Sequence, residues 1–250
     1  MPSPSDTRRP DMPGLASGIR GIIFDKDGTL FDFQASWGLW ALRFVNDLAG
    51  GDPVRAEELA RAIRFDIASR SFHPDSPVIA GTPAEIAEPL LRHLPGATPG
   101  GLIARMNLLS AEAPMVEAVP LRRLFEALRA RGLRLAVATN DGEIPARAHL
   151  ERAGIADLVD FVAGFDSGHG AKPEAGMLLA FAQAFGLAPA EVLMVGDSLH
   201  DMAAGRAAGM PTVAVLTGIA RAPELAPAAD VVLPDIGHLP ALLDRVQALA

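Results

Sequence analysis

The chain has 250 residues, half of them apolar and 21% charged, with a formal net charge of −8. That is enough for one large domain or a core with an insert, and it lacks the basic surface a nucleic-acid backbone needs. There is no cysteine, which excludes disulfides, thiolate metal sites and cysteine nucleophiles and fits a reducing compartment.

No apolar run reaches the roughly 18 residues that span a bilayer. The first 18 residues, MPSPSDTRRPDMPGLASG, lack the apolar stretch of a secretory signal. Residues 1–18 are therefore expected to form a flexible tail, with no membrane partner and the cytoplasm as the default location. Next comes GIIF at 21–24, a short apolar run that ends at Asp25 and reads as a buried strand.

Residues 34–114 then carry helical patterns and little that resembles a strand. These are QASWGLWALRFVNDLAG, PVRAEELARAIRFDIASR, TPAEIAEPLLRHL and GLIARMNLLSAEA. Four inserted helices are expected to form a cap over the strand edge. From 115 onward strands and helices alternate. The strands are LRLAVAT at 133–139, FVAG at 161–164, EVLMVG at 191–196, TVAV at 212–215 and DVVL at 230–233. The helices span 119–132, 143–154, 174–186 and 198–209, each ending at a glycine placed for a C-cap.

Apolar strands alternating with helices imply an α/β fold, a Rossmann-like parallel sheet flanked by helices. The expected division is a core from 19–33 and 115–250 and a helical cap from 34–114. Ligands of such sheets bind at the C-terminal strand edge, near the point where strand order reverses. Four polar clusters stand at such strand ends.

Asp25 and Asp27, in Asp25-Lys26-Asp27-Gly28-Thr29, can face one cleft. One carboxylate can attack phosphorus while the other handles the leaving-group proton, although an Asp-Gly turn explains the same letters. Thr139-Asn140 offers a hydroxyl and a backbone N–H to a phosphate oxygen, in what is also a turn signature. Lys172 and Lys26 are the only lysines among 22 basic residues. In an arginine-rich chain this suggests places where a compact ammonium is wanted rather than a planar fork. Asp197 and Asp201, in Gly196-Asp197-Ser198-Leu199-His200-Asp201, lie one helical turn apart. They can supply hard oxygen ligands for Mg²⁺, or Asp197 and Ser198 can serve as simple helix caps.

Together these residues resemble the haloacid dehalogenase superfamily of phosphohydrolases. The matching segments are DKDGTL at 25–30, TN at 139–140, KP at 172–173 and GDSLHD at 196–201. The insert resembles the small helical cap of its phosphoglycolate phosphatase-like members. The resemblance implies that Asp25 forms an aspartyl-phosphate while Asp27 protonates the leaving alcohol and then activates water. It implies that Thr139, the Asn140 backbone and Lys172 bind the phosphoryl group. Asp25, the Asp27 carbonyl and Asp197 would ligate Mg²⁺, with Asp201 acting through water or as an orienter. Position 175 is alanine where the family often has a second proline, and Lys26 stands where an apolar residue is usual.

Asp27 argues for ester chemistry, because family members that cleave carbon–phosphorus bonds lack that acid. Those members also use a cap lysine, and residues 34–114 contain none. The expected activity is a phosphatase acting on a small phosphorylated metabolite such as phosphoglycolate. The alternatives are a sugar phosphomutase of the superfamily and a non-catalytic binding module on the same fold. Arg70 and His73, in Arg70-Ser71-Phe72-His73, occupy the place of a specificity loop and are expected to touch the non-phosphate part of the substrate.

Overall fold

Every residue of Gly21–Phe24 is buried, as befits a strand covered on both faces. A computed structural model describes residues 18–248, so the tail expected over 1–18 lies, apart from Gly18, outside the described residues. In chain order the first part comprises β1 (Gly21–Phe24), α1 (Phe33–Ala49), α2 (Pro53–Ala62), β2 (Phe65–Asp66), β3 (Ser71–Phe72), α3 (Pro83–Leu91) and α4 (Pro99–Ala111). After them come α5 (Leu121–Ala130), β4 (Arg134–Ala138), α6 (Glu143–Arg152), β5 (Phe161–Ala163), α7 (Gly176–Phe185) and β6 (Val192–Gly196). The chain closes with α8 (Leu199–Ala208), β7 (Thr212–Val215), α9 (Ala222–Leu225), β8 (Val231–Leu233) and α10 (Leu239–Gln247).

Six strands form one parallel sheet in the order β5-β4-β1-β6-β7-β8. Side chains alternate between its faces, and the sequence fills both. Ile22, Phe24, Leu135, Val137, Leu193 and Val195 pack against α5, α6 and α10. Ile23, Ala136, Ala138 and Met194 pack against α7 and α8. Strand order reverses at β1, whose neighbours β4 and β6 lie on opposite sides. The crevice expected at such a reversal therefore opens over Asp25, Thr139 and Asp197.

Helices α1 to α4 gather a hydrophobic cluster of their own, with Trp37, Trp40, Phe44, Leu59, Ile86 and Met106 among its members. Their ends follow ordinary capping chemistry. Asp32 accepts from Ala35 N–H at the start of α1, and Thr82 and Glu85 cap α3 reciprocally.

Two sequence expectations differ. The second helix, read through Arg70, stops at Ala62 and gives way to the β2–β3 hairpin. Arg64 adopts a left-handed conformation (φ 56°) that ends the helix. Phe65 and Phe72, paired across the hairpin with ring centroids 4.9 Å apart, then bury in this second cluster. Burial of two phenyl rings outweighs another turn of exposed helix. The helix expected from residue 174 likewise begins only at Gly176. Among the described residues no helix is long and apolar enough to cross a membrane.

Candidate active site

Asp25 is the first residue beyond β1, and its N–H donates to Val195 O (2.8 Å), which continues the sheet's hydrogen bonding. The backbone is therefore fixed where the carboxylate enters the crevice. Lys172 Nζ donates to Asp25 Oδ1 (2.5 Å) and to Asp201 Oδ1 (2.7 Å). Asp25, Asp197 and Asp201 are buried with candidate ligand atoms within 4.8 Å of one another. Three carboxylates thus share one ammonium in a place nearly closed to water.

That imbalance shows in the titration of the groups. Burial pushes Asp25 up from 3.8 to about 7; the Lys172 ammonium opposes this, while Asp201 and Asp27 add to it. Burial, then the charges of Asp25 and Asp201, hold Asp197 well above the usual carboxylate range. Burial works against the charge on Lys172, but Asp201 and Asp25 outweigh it and raise the group above an ordinary lysine. The cluster has more negative charge than its one cation balances.

Asp201 uses both oxygens within the protein. Oδ1 holds Lys172, and Oδ2 accepts from Ser198 N–H (3.0 Å) and Ser198 Oγ–H (2.6 Å), closing a capping box on α8. Asp197 has looser surroundings: Thr29 Oγ1 is 3.5 Å from Oδ1. Its carboxylate lies between Gly28 and Gly218, where a Cβ on either glycine would collide with it. Thr217 Oγ1 donates to Gly28 O (2.6 Å) and so ties the two glycine segments together.

Asn140 contributes through its side chain as well as its position. Its amide accepts from Lys172 N–H (2.8 Å), donates to Lys172 O (2.8 Å) and also donates to Ala80 O (2.9 Å) of the insert. The lysine backbone is thereby clamped in both directions, and the insert is tied to the core. His200 Nδ1 approaches the same Ala80 carbonyl (3.3 Å). Thr139 is buried beside Asn140 and accepts from Asp141 N–H (3.1 Å).

Asp27 is held by a second set of donors. Its Oδ1 accepts from Trp37 Nε1–H of α1 and from Lys26 Nζ–H, both at 2.8 Å. Lys26 is fully buried; its ammonium also lies 3.1 Å from His149 Nδ1 and 3.1 Å from Asp141 Oδ2. His149 Nε2 is 2.7 Å from Ser110 O. A carbonyl can only accept, so Nε2 carries the proton and Nδ1 accepts from Lys26. Burial and then the Lys26 charge lower His149 to about 3, consistent with a neutral ring. Burial opposes the charge on Lys26, but Asp27 and Asp141 keep it raised.

These groups floor a cavity of about 60 Å³, room for roughly four to six water-sized volumes. Asp25, Asp27, Thr139, Asn140, Lys172 and Asp197 line the core side, and Trp37, Trp40, Ile79, Pro83 and Met106 line the insert side. Of the residues singled out in sequence, the structure gathers all but two at or beside this cavity. Arg70 and His73 are exposed on the β2–β3 hairpin and its flank, outside the wall, because the buried Phe65–Phe72 pair leaves its neighbours facing solvent. The sequence reading missed Trp37, Gly218, Asp141 and His149. Only the unexplained Lys26 hinted that something was buried beside Asp25.

A family model for haloacid dehalogenase-like hydrolases matches residues 19–209. The phosphoglycolate phosphatase of Rhodospirillum rubrum is 42% identical over 228 residues, covering 88% of this chain and 89% of that protein. That of Escherichia coli K12 is 31% identical over 215 residues, covering 80% and 82%. Among solved structures, a HAD phosphatase from Thermococcus onnurineus superposes with TM-score 0.63 at 21% identity, covering 90% and 98%. A β-phosphoglucomutase from Clostridium difficile gives TM-score 0.67 at 15% identity, covering 92% and 98%. The two structures share the fold, while the family match and the long alignments carry the relationship. The chain belongs to the haloacid dehalogenase-like hydrolases, and within that family it is a phosphatase.

Proposed function

We propose that this phosphatase hydrolyses a small phosphate monoester through an aspartyl-phosphate on Asp25, with Mg²⁺ as cofactor. Residues 34–114 act as the cap and residues 19–33 and 115–250 as the catalytic core. One observation carries the reading: Asp25 and Asp27 line the same small cavity, with Lys172 bonded to the first and the buried carboxylate of Asp197 alongside.

In the first half-reaction a carboxylate oxygen of Asp25 attacks phosphorus and the bond to the leaving oxygen breaks. Asp27 donates its proton to that oxygen, so the product leaves as an alcohol. In the second, the Asp27 carboxylate takes a proton from water, and the water oxygen attacks phosphorus. The bond to Asp25 then breaks, releasing inorganic phosphate. Lys172 and the Thr139–Asn140 segment bind the phosphoryl oxygens throughout.

The donor set fits a hard divalent cation, because it is all oxygen, buried and short of positive charge. Asp25, Asp197 and the Asp27 carbonyl would hold it, with Asp201 orienting Lys172 and Ser198 nearby. When bound, the cation would offset the carboxylates and the charge developing on phosphate.

The two long-aligned relatives make phosphoglycolate the first ester to test, and the small cavity supports a short substrate. The cysteine-free chain fits a reducing compartment, and the cytoplasm is the proposed location. Asp25→Asn should abolish Mg²⁺-dependent phosphate release from a panel of small esters while the protein still melts cooperatively. Residual turnover above about a thousandth of the wild-type rate would overturn the mechanism, since loss of a covalent nucleophile costs at least that much.

A further inference from the structure

Lys26 and Trp37 have no part in the mechanism above, yet both bind the same atom of it. The carboxylate of Asp27 has two oxygens, each with two in-plane lone pairs. On Oδ1, Trp37 Nε1–H and Lys26 Nζ–H occupy both. Among the described residues no side chain donates to Oδ2, and Asp27 lines the cavity.

We propose that Lys26 and Trp37 are positioning residues for proton transfer: they occupy Oδ1 of Asp27 and leave Oδ2 as the oxygen that carries the proton to and from the reacting oxygens. The inference rests on the reading of Asp27 as acid and base. With two N–H donors aimed at it, Oδ1 cannot hold a proton without losing one of those bonds, so the acid form of Asp27 is protonated on Oδ2. The same two bonds stop the carboxyl group from rotating, which holds Oδ2 toward the cavity.

Lys26 is itself held rigidly. His149 Nδ1 accepts from it, the Asp141 carboxylate is 3.1 Å away, and the Trp37 ring lies 5.1 Å from its ammonium. Two of the anchors belong to the cap: Trp37 is on α1, and Ser110, on α4, holds His149. One of the two bonds that orient the proton-carrying oxygen, from Trp37, and the brace on His149 behind the other therefore come from the cap.

Leaving groups separate this role from a structural one. An alkoxide needs a proton to leave, whereas a carboxylate leaves without one, and ethyl phosphate and acetyl phosphate are nearly the same size. The test measures kcat/KM, which reports steps up to aspartyl-phosphate formation, for an alkyl ester (ethyl phosphate or phosphoglycolate) and for acetyl phosphate. Trp37→Phe keeps an aromatic ring at this position but removes the N–H together with the rest of the pyrrole ring, and acetyl phosphate controls for the lost volume. The variant should lower kcat/KM on the alkyl ester about tenfold while leaving acetyl phosphate within about twofold, and Lys26→Met should widen that gap toward about a hundredfold. Equal losses on both substrates, or no loss on either, would overturn the proposal. Asp27→Asn serves as the reference. If it too shows no preference between the esters, Asp27 is not the acid, and the mechanism falls together with the inference. If Lys26→Met fails to fold, Trp37→Phe decides the matter alone.

Discussion

Replacing Asp25 with asparagine should do more than stop turnover. In the metal-free enzyme it should raise stability, and by an amount that grows with pH. Burial and neighbouring carboxylates raise the Asp25 pKa from 3.8 to about 7 in the folded protein. The unfolded chain therefore releases this proton at lower pH than the folded one does. The group's favourable contribution is complete below about 4 and is lost as pH climbs toward about 7. The span from 3.8 to about 7, at about 1.4 kcal/mol per pH unit, comes to about 4 kcal/mol. About 2 kcal/mol of this falls between roughly pH 5.5 and 7, which is roughly 4–8 °C of melting temperature for a domain of this size. His149, lowered to about 3, contributes in the opposite sense, gaining stability as pH rises to its ordinary value, so wild-type curves alone would blur the effect. The assay is therefore the difference in melting temperature between Asp25→Asn and wild type, by calorimetry in chelator from about pH 5.5 to 8. The difference should widen in favour of the variant as pH rises. Saturating Mg²⁺ should narrow it by stabilising the wild type. A difference that stays flat with pH would refute the claim that this carboxylate is held charged at a cost.

Three further outcomes follow from the same geometry. Gly218→Ala places a methyl group against the Asp197 carboxylate, so the Mg²⁺ concentration needed for half-maximal activity should rise at least tenfold, read from a metal titration of phosphate release. Lys172→Met leaves Asp25 and Asp201 without their shared cation; it should cost about 3–5 kcal/mol in a urea titration without metal, and KM should rise for every ester tested. Arg70→Ala and His73→Ala remove exposed hairpin side chains outside the cavity wall, and both should leave kcat/KM within about twofold on the best substrate. A KM increase confined to one ester would show that the hairpin reaches the substrate after all.

The sheet was legible because it is buried on both faces. Each strand is a short apolar run bounded by turn residues, and GIIF and EVLMVG read the same whichever face a side chain takes. The insert was less legible. Phe65 and Phe72 continue an apolar pattern that also suits a helix, and only their mutual packing makes a hairpin of it. Helix α10 escaped the reading although Leu239, Leu242, Leu243 and Val246 are its buried stripe, spaced as a helix face requires. At the site, residues inside DKDGT and GDSLHD could be found by sequence because local backbone geometry brings each set together. Gly218 could not, since it meets Asp197 across a loop with no motif. Trp37 reads as one more core aromatic until its indole N–H is seen on Asp27.

The two lysines connect these levels. The chain uses arginine for the rest of its 22 basic side chains, and many of those sit in exposed pairs such as Arg122–Asp157, where a planar fork suits a single carboxylate. Lys26 and Lys172 are the buried exceptions. Each must meet acceptors that converge from different elements: Asp25 and Asp201 around Lys172, and Asp27, His149 and Asp141 around Lys26. An ammonium donates three protons in a tripod from one compact atom, whereas a guanidinium spreads its donors across a plane. The scarcity of lysine thus marks two places where one buried charge must be delivered in more than one direction at once. The two serve opposite ends of the proposed reaction, Lys172 on the oxygen of the nucleophile and Lys26 on the oxygen opposite the one that carries the proton.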